Sequence, residues 1–498
     1  MIEGMTTAAW ILPALVAVPA LVAGLGLLAR SPRALLRGGA AATAVLAAGA
    51  GVAVAHVFAH GPLLGIGGWF YLDALSAFHL AVLMTVFLLC ACFAIVYFRE
   101  EIARGAFTRK LAKRYHALWF GSLAAMSLVL VTNNLGVMWV GVEATTLLTA
   151  FLICIHPSPA ALEAMWKYLL MCSVGVAVAF AGILLLAAAI PAGALPGPDA
   201  LLWTCLMNPS IVLNPVLVKV AFIFLVVGFG TKAGLAPLHN WLPDAHSQAP
   251  APVSAMFSGI LLNTALYAIL RYLPLVERAT GGTGWGREIL VALGLLSVLV
   301  AAAFIIAQQD IKRLLAYSSV ENLGIIALGV GLGGAGVFAA LLHTLNNSLC
   351  KSVAFCCAGR VGQLYGTLDM RRIKGVLHTS PLWGGGLFVA LLALVGTAPF
   401  ALFLSEFLIV RAAWDCAAYW PLALLLAGLA IVFIGVLRKA IPMAWEPPET
   451  APTPLTAHRA EALLVGVPLL LLLVLGLWLP SPLRTMLAQA SAILGGTP

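Results

Sequence analysis

Long apolar runs separated by short polar stretches follow one another along almost the whole chain. A helix needs about 20 mostly apolar residues to cross the hydrocarbon core of a bilayer. We predict a membrane-spanning helix in each of the fourteen runs: 8–29, 37–59, 74–97, 116–132, 134–155, 166–190, 215–240, 252–274, 288–308, 316–333, 336–361, 382–409, 419–440 and 460–480. The pattern predicts an all-α integral membrane protein.

The composition agrees with this fold class and excludes others. Apolar residues make up 62% of the 498 residues and charged residues 9%, whereas a soluble domain carries about 25% charged residues. The same values exclude a disordered chain, which needs low hydrophobicity and high charge. The net charge of +9 does not indicate nucleic-acid binding, since the basic residues lie in short loops rather than on one exposed face.

The distribution of lysine and arginine predicts an orientation. With the N-terminus outside, nineteen of the 27 basic residues fall at inner loops and helix flanks, five at outer ones and three inside spans. Loops on the cytoplasmic side carry an excess of lysine and arginine. We therefore expect both termini on the outer face.

Two of the predicted spans are interrupted. The seventh contains Gly234 and Pro237, and the twelfth contains Gly396 and Pro399; both carry an Ala-Pro pair. Interrupted helices at matching places indicate an internal repeat with a site at mid-membrane depth, although two unrelated proline kinks would look the same. The predicted organisation is an N-terminal three-helix segment, a first inverted five-helix repeat (spans 4–8), a second (spans 9–13) and a C-terminal helix, over residues 1–115, 116–275, 285–440 and 441–498.

Ionisable side chains inside a membrane span are costly and are functional candidates by default. The alternatives are a static buried ion pair or a long side chain that reaches the interface. The second alternative applies to Lys219, near the outer end of span 7, and to Glu321, near the inner end of span 10. The six candidates are Glu143, Lys219, Lys232, Glu321, Lys351 and Glu406.

One span carries a row of polar residues. His343, Asn347 and Lys351 are spaced four apart, so they share one face of a helix. A lysine desolvated among apolar groups releases its proton more readily, and a nearby carboxylate favours its charged form. The row is typical of a hydrated proton path. His239 and His246, beside the broken seventh span, either relay protons or cap the loop.

The sequence offers no site for a redox cofactor. The nine cysteines contain no Cys-x-x-Cys pair, and no glycine-rich phosphate loop precedes a helix. We therefore expect this chain to bind no cofactor.

Four segments resemble the hallmark motifs of a known family. They are GFGTKAGLAPLHNWLPDAHSQAPAPVSAMFSGILLN (228–263), DIKRLLAYSSVENLGII (310–326), HTLNNSLCKSVAFCCAG (343–359) and GTAPFALFLSEF (396–407). The family contains the antiporter-like membrane subunits of respiratory complex I, of multi-subunit Na⁺/H⁺ antiporters and of group 4 hydrogenases. The ENLGII and LLN segments look most like the F-type component of hydrogenase-4 and formate hydrogenlyase.

This resemblance implies fourteen helices, two inverted five-helix repeats and discontinuous helices 7 and 12. It also implies roles for individual residues: a proton-channel pair of Glu143 and Lys232, a central relay at Lys351, a relay histidine at His343 and an exit-side group at Glu406. Two positions depart from the family pattern. Asn263 stands where several complex I subunits have lysine, and Asn347 stands where many relatives have a second histidine. The resemblance therefore does not identify which groups link the two half-channels.

The resemblance implies a proton-translocating subunit of a hydrogenase-type oxidoreductase, set in the bacterial inner membrane among lipid and other membrane subunits. Peripheral partner subunits would hold the nickel–iron and iron–sulfur centres. The alternatives are a subunit of a complex I-like NADH/quinone oxidoreductase, a multi-subunit cation/proton antiporter and a subunit coupled to uptake of inorganic carbon. Protons are favoured over sodium, because the predicted half-channels are rich in lysine.

Overall fold

The computed structural model describes residues 8–195, 197–447 and 459–496, and most of them are α-helical. In chain order the helices are α1 (Ala8–Leu25), α2 (Pro32–His60), α3 (Ala74–Tyr97), α4 (Arg99–Ala103), α5 (Arg109–Val131), α6 (Leu135–Ile153), α7 (Pro159–Ala188), α8 (Trp203–Leu206), α9 (Pro215–Ala233), α10 (Leu242–Gln248), α11 (Ala251–Met256), α12 (Leu262–Ala279), α13 (Trp285–Ala307), α14 (Ile311–Leu332), α15 (Ala335–Tyr365), α16 (Val376–Thr379), α17 (Pro381–Leu394), α18 (Ala401–Asp415), α19 (Tyr419–Trp445), α20 (Arg459–Leu477) and α21 (Ser481–Ile493). Strands β1 (Leu63–Leu64) and β2 (Tyr71–Leu72) form a small antiparallel hairpin.

Within these ranges, twelve helical stretches are long and apolar enough to cross a membrane. They coincide with twelve of the fourteen predicted spans, so the protein is a multi-pass membrane protein. The other two predicted spans correspond to α15, which carries several polar residues, and to the interrupted pair α17 and α18. The count of fourteen crossings and the inverted-repeat boundaries stay predictions, and the segments 1–115 and 441–498 fall partly outside the described residues.

Both predicted interruptions are present. Between α9 and α10, Gly234 has φ of 79°, and between α17 and α18, Gly396 has φ of 66°. These left-handed conformations favour glycine, which lacks a Cβ. At the first break the freed N–H of Ala236 donates to Ser297 Oγ of α13 at 2.9 Å. A neighbouring helix thus satisfies part of the opened backbone, as the apolar membrane interior requires.

A third irregularity was not predicted. The span 251–279 consists of α11, a π-helical turn at Phe257–Leu261 and α12. Such turns are rare and are often found at functional sites. This span is buried along most of its length, as is α14, whereas most residues of α1 and α20 are not buried. The molecule is therefore built around 251–279, α14 and α15, and the polar residues of these helices lie in its interior.

Candidate functional site

The last turn of α9 places Lys232 in the interior, where its side chain is almost fully buried. Its Nζ donates to the hydroxyl of Tyr168 on α7 and lies 4.6 Å from the centre of that ring. The Tyr168 hydroxyl is 2.5 Å from Thr149 Oγ1, which donates to the carbonyl of Thr145 at 2.6 Å. The ammonium is thus stabilised by a ring and by a chain of hydroxyl groups.

Glu143 lies on α6 and is half-buried. Its Oε1 accepts a hydrogen bond of 2.8 Å from Ser173 of α7, and its Oε2 has no partner among the described residues. Glu143 and Lys232 form no ion pair in the described part of the chain. Helix α7 stands between them, so the predicted pair is bridged by Tyr168 and Ser173 rather than in direct contact.

A second lysine and carboxylate lie between α14 and α15. Lys351 is fully buried, and its Nζ donates to the carbonyl of Leu315 at 2.9 Å. Glu321 is also buried, and its Oε2 has no partner among the described groups. The two side chains form no ion pair in the described part of the chain. The burial of Glu321 excludes the surface location that its place near the end of the span had left open.

His343 connects three helices. Its Nε2 is 2.9 Å from Asn322 Oδ1 of α14, and its Nδ1 is 2.9 Å from Ser405 Oγ of α18. The amide of Asn322 donates through Nδ2 to the carbonyl of Ser318, so its Oδ1 must accept from His343. In the neutral imidazole, Nδ1 then accepts from Ser405, and on protonation the hydroxyl can turn to the carbonyl of Leu402, 3.0 Å away. Rotation of the Ser405 hydroxyl would therefore keep both ring nitrogens hydrogen-bonded when the imidazole receives a proton.

Glu406 lies against the break between α17 and α18 and is mostly buried. A Cβ added to Gly396 would lie only 2.1 Å from its Oε2. Gly396 is therefore favoured for two reasons: its backbone conformation and the limited space beside the Glu406 carboxylate. The interrupted helix creates the position in which this acid is held.

Asn263 follows the π-helical turn and faces α15. Its Nδ2 donates to the carbonyl of Gly259 and to Ser348 Oγ, both at 3.1 Å. Its Oδ1 is buried without a partner among the described residues, and so is Oδ1 of Asn347. Buried acceptors of this kind are normally paired, often with ordered water. Both departures from the family pattern thus leave a buried amide oxygen without a partner among the described residues.

Two further predicted residues, Lys219 and His239, lie next to aromatic rings. Lys219 is thirteen residues before Lys232, roughly 20 Å along the helix, and its Nζ is 5.6 Å from the ring centre of Trp285. This half-exposed position fits a lysine that reaches the interface. His239 lies in the loop after α9, next to the rings of Tyr317 and Phe304.

Some buried polar residues were not assigned a role from the sequence. Tyr168, Asn322 and Ser405 became visible only through their contacts with the predicted lysine and histidine. His246 is fully buried, stacks 5.1 Å from the ring of Phe355, and has no partner for either ring nitrogen among the described residues. Unlike the other three, His246 was singled out from the sequence, as either a proton relay or a cap of the loop.

A buried ion pair joins α12 to the start of α3. Arg271, one of the basic residues that the sequence assigned to the outer side, is buried in α12, and its Nη1 is 2.6 Å from Asp73 Oδ2. The rings of Trp203, Tyr71 and Tyr267 surround the guanidinium. Burial alone would raise the pKa of Asp73, but the charge and hydrogen bond of Arg271 hold that pKa below its usual value.

Known proteins are similar to this chain in sequence and in fold. Residues 132–433, more than half of the chain, match the family described as NADH:quinone oxidoreductase/Mrp antiporter, TM. A hydrogenase-4 component F homolog of Methylacidiphilum infernorum is 38% identical over 392 residues, which cover 78% of this chain and 82% of that protein. NADH-quinone oxidoreductase subunit N of Desulforudis audaxviator is 30% identical over 454 residues, 88% of each chain.

The fold agrees with these relatives. A chain of the membrane-bound sulfane sulfur reductase, an archaeal respiratory membrane complex, superposes with a TM-score of 0.85 at 25% identity, covering 99% of this chain and 98% of that one. The family match lies on the segment that contains Glu143, Lys232, Lys351 and Glu406. The chain therefore belongs to the family of antiporter-like membrane subunits that is shared by NADH:quinone oxidoreductases and Mrp antiporters.

Proposed function

We propose that this chain is a proton-translocating subunit of a hydrogenase-type oxidoreductase complex of the bacterial inner membrane. The observation that carries the proposal is a series of acids and bases on α6, α9, α15 and α18: Lys232, Lys351, His343 and Glu406 are buried, and Glu143 is half-buried. Ionisable groups at such depth are rarely retained for packing alone. The similarity to a hydrogenase-4 component F homolog supports the kind of complex.

Each proposed half contains a lysine and a glutamate, but the contacts of these residues differ between the halves. In the first, α7 separates Glu143 from Lys232 with a serine and a tyrosine. In the second, Lys351 of α15 and Glu321 of the adjacent helix α14 form no direct ion pair among the described residues. A lysine that approaches a carboxylate is favoured in its charged form, and one that moves away releases its proton more readily. Small changes in these separations would therefore take up and release protons.

We propose that water joins the halves beside Asn263. The two unpaired amide oxygens of Asn263 and Asn347 offer acceptors in a buried polar region, and a buried water needs two to four such partners. An amide cannot exchange a proton near neutral pH, so the asparagine would position water rather than carry charge. His343 continues the path to Ser405.

Two other complexes remain as alternatives. The relative named NADH-quinone oxidoreductase subunit N favours a complex I-like enzyme, and the family description includes Mrp antiporters. In a hydrogenase-type complex or a complex I-like enzyme, the redox centres would lie in partner subunits. For a hydrogenase these would be nickel–iron and iron–sulfur centres. Fourteen crossings, inverted repeats and outer termini belong to the same proposal.

Purification of the tagged full-length chain from its own membranes tests the proposed complex. We expect a nickel-containing subunit and ferredoxin-like subunits to co-purify, detected by mass spectrometry and metal analysis. A quinone reductase with a flavin subunit would support the complex I alternative. A complex of membrane subunits alone would support the antiporter and contradict the proposal.

A further inference from the structure

A recess away from the proton pathway lies between α2, α3 and α20. Its cavity has a volume of about 490 Å³ and is lined almost entirely by apolar side chains, among them Ala47, Leu88, Leu89, Val467 and Leu471. This volume is in the range of sites that enclose small ligands. All three helices are apolar enough to cross a membrane, so the natural occupant at this depth is hydrocarbon.

A second, basic recess lies on the same seam. It has a volume of about 250 Å³ and is lined by Arg33, Arg37 and Arg99, with apolar residues between them. Arg99 pairs with Glu461 of α20 at 2.6 Å. Arg33 and Arg37 are exposed and form no ion pair with any described residue. Two guanidinium groups are therefore free to bind an anion.

The two recesses are neighbours along the helices. On α3, Ile95 lines the basic recess and Cys92, three residues away on the same face, lines the apolar one. On α2, Arg37 and Ala47 are ten residues apart, about 15 Å along the axis. Because α2 begins at Pro32 and Ser31 makes no side-chain cap, free amide groups and the positive end of the helix dipole add to the basic end.

We propose that this seam binds one anionic phospholipid, with its phosphate at Arg33 and Arg37 and an acyl chain in the apolar cavity. Arginine binds phosphate through two parallel hydrogen bonds, and basic pockets between membrane helices recognise anionic headgroups. The Arg99–Glu461 pair joins α20 to the first residue of α4, directly after α3, so the far wall of the cavity keeps its place. The arginines select the charge of the lipid, and the cavity binds its hydrocarbon.

Native mass spectrometry of the delipidated full-length protein, titrated with phosphatidylglycerol or with phosphatidylcholine of the same chain length, tests this site. The double variant Arg33→Gln/Arg37→Gln removes the anion site, and Lys110→Gln/Lys113→Gln is the matched charge control on α5. Gly51→Phe fills the cavity, since a Cβ there meets nothing within 4 Å. Gly49→Phe is its control, because Gly49 has equal space but does not line the cavity.

We expect the wild-type protein to prefer phosphatidylglycerol and the double arginine variant to lose about tenfold or more of that preference. Gly51→Phe should weaken the binding of both lipids, and both controls should bind as the wild type does. Millimolar inorganic phosphate should not displace the lipid. Unchanged lipid binding in the arginine variant or in Gly51→Phe would overturn the proposal, as would displacement by phosphate alone.

The complete complex provides a second test. Gly51→Cys should react with a lipid-soluble maleimide in the membrane. Crosslinking of this cysteine to a helix of a partner subunit would show that protein fills the recess and would overturn the lipid site.

Discussion

At the scale of single residues, substitution of Glu143 by glutamine distinguishes a role in proton transfer from a role in packing. Glu143→Gln keeps an oxygen that accepts from Ser173 but cannot release a proton. We expect the complex to assemble and coupled proton uptake in vesicles, driven by its electron donor, to fall to background. Glu163→Gln, an exposed glutamate paired with Lys167, is the control and should pump normally. Near-normal uptake in Glu143→Gln would exclude it from the path.

Lys351 tests whether the central group exchanges a proton or only supplies charge. Arginine remains charged, because its pKa is above about 12, so Lys351→Arg should assemble but transfer protons poorly. Lys351→Ala should abolish transfer. Lys374→Arg, on a loop beside Glu446, is the control for the same substitution. Full activity of Lys351→Arg in the vesicle assay would make this lysine a fixed charge.

Asn263 tests the link between the halves. Asn263→Leu has similar size but loses the hydrogen bonds to Gly259 and Ser348, and any water held by Oδ1. We expect slower proton transfer in an assembled complex. Asn263→Ser, which keeps a hydroxyl group for Ser348 and water, should be less affected.

A high-resolution map of the complex should show water beside Asn263. A region packed with apolar atoms there, or normal pumping by Asn263→Leu, would place the link elsewhere.

At the scale of elements, the interrupted helices decide where the acids lie. Gly396→Ala places a Cβ 2.1 Å from the Glu406 carboxylate and adds roughly 1–2 kcal/mol of strain at a left-handed residue. We expect reduced proton transfer and a modest loss of thermal stability of the complex. Gly385→Ala, on the regular part of α17 with only an ordinary contact at 3.8 Å, should leave both unchanged. Equal behaviour of the two variants would show that the break does not position Glu406.

At the scale of the whole molecule, the predicted orientation places the end of α18 on the outer face. Cys416 is exposed there, so a membrane-impermeant maleimide should label it in intact spheroplasts, and Cys416→Ser should lose that labelling. This orientation is expected because lysine and arginine are concentrated in the predicted inner loops. Labelling of Cys416 only after permeabilisation would reverse the topology.

The sequence by itself determined the apolar spans, the two interruptions and the buried charged residues. These features are local: hydrophobic length, the backbone freedom of glycine and the missing N–H of proline act within a few residues. For this reason Glu143, Lys232, Lys351 and Glu406 could be chosen before any contact was known. The π-helical turn at Phe257–Leu261 could not be chosen, because it involves no proline and depends on packing against neighbouring helices.

Only the tertiary structure decided which side chains meet. Helix α7 contacts both predicted partners, with Tyr168 at Lys232 and Ser173 at Glu143. Arg271 and Asp73 are 198 residues apart and form one buried ion pair. The rotation of each helix against its neighbours is set by the packing of all its side chains together, and no periodicity along one segment contains that information.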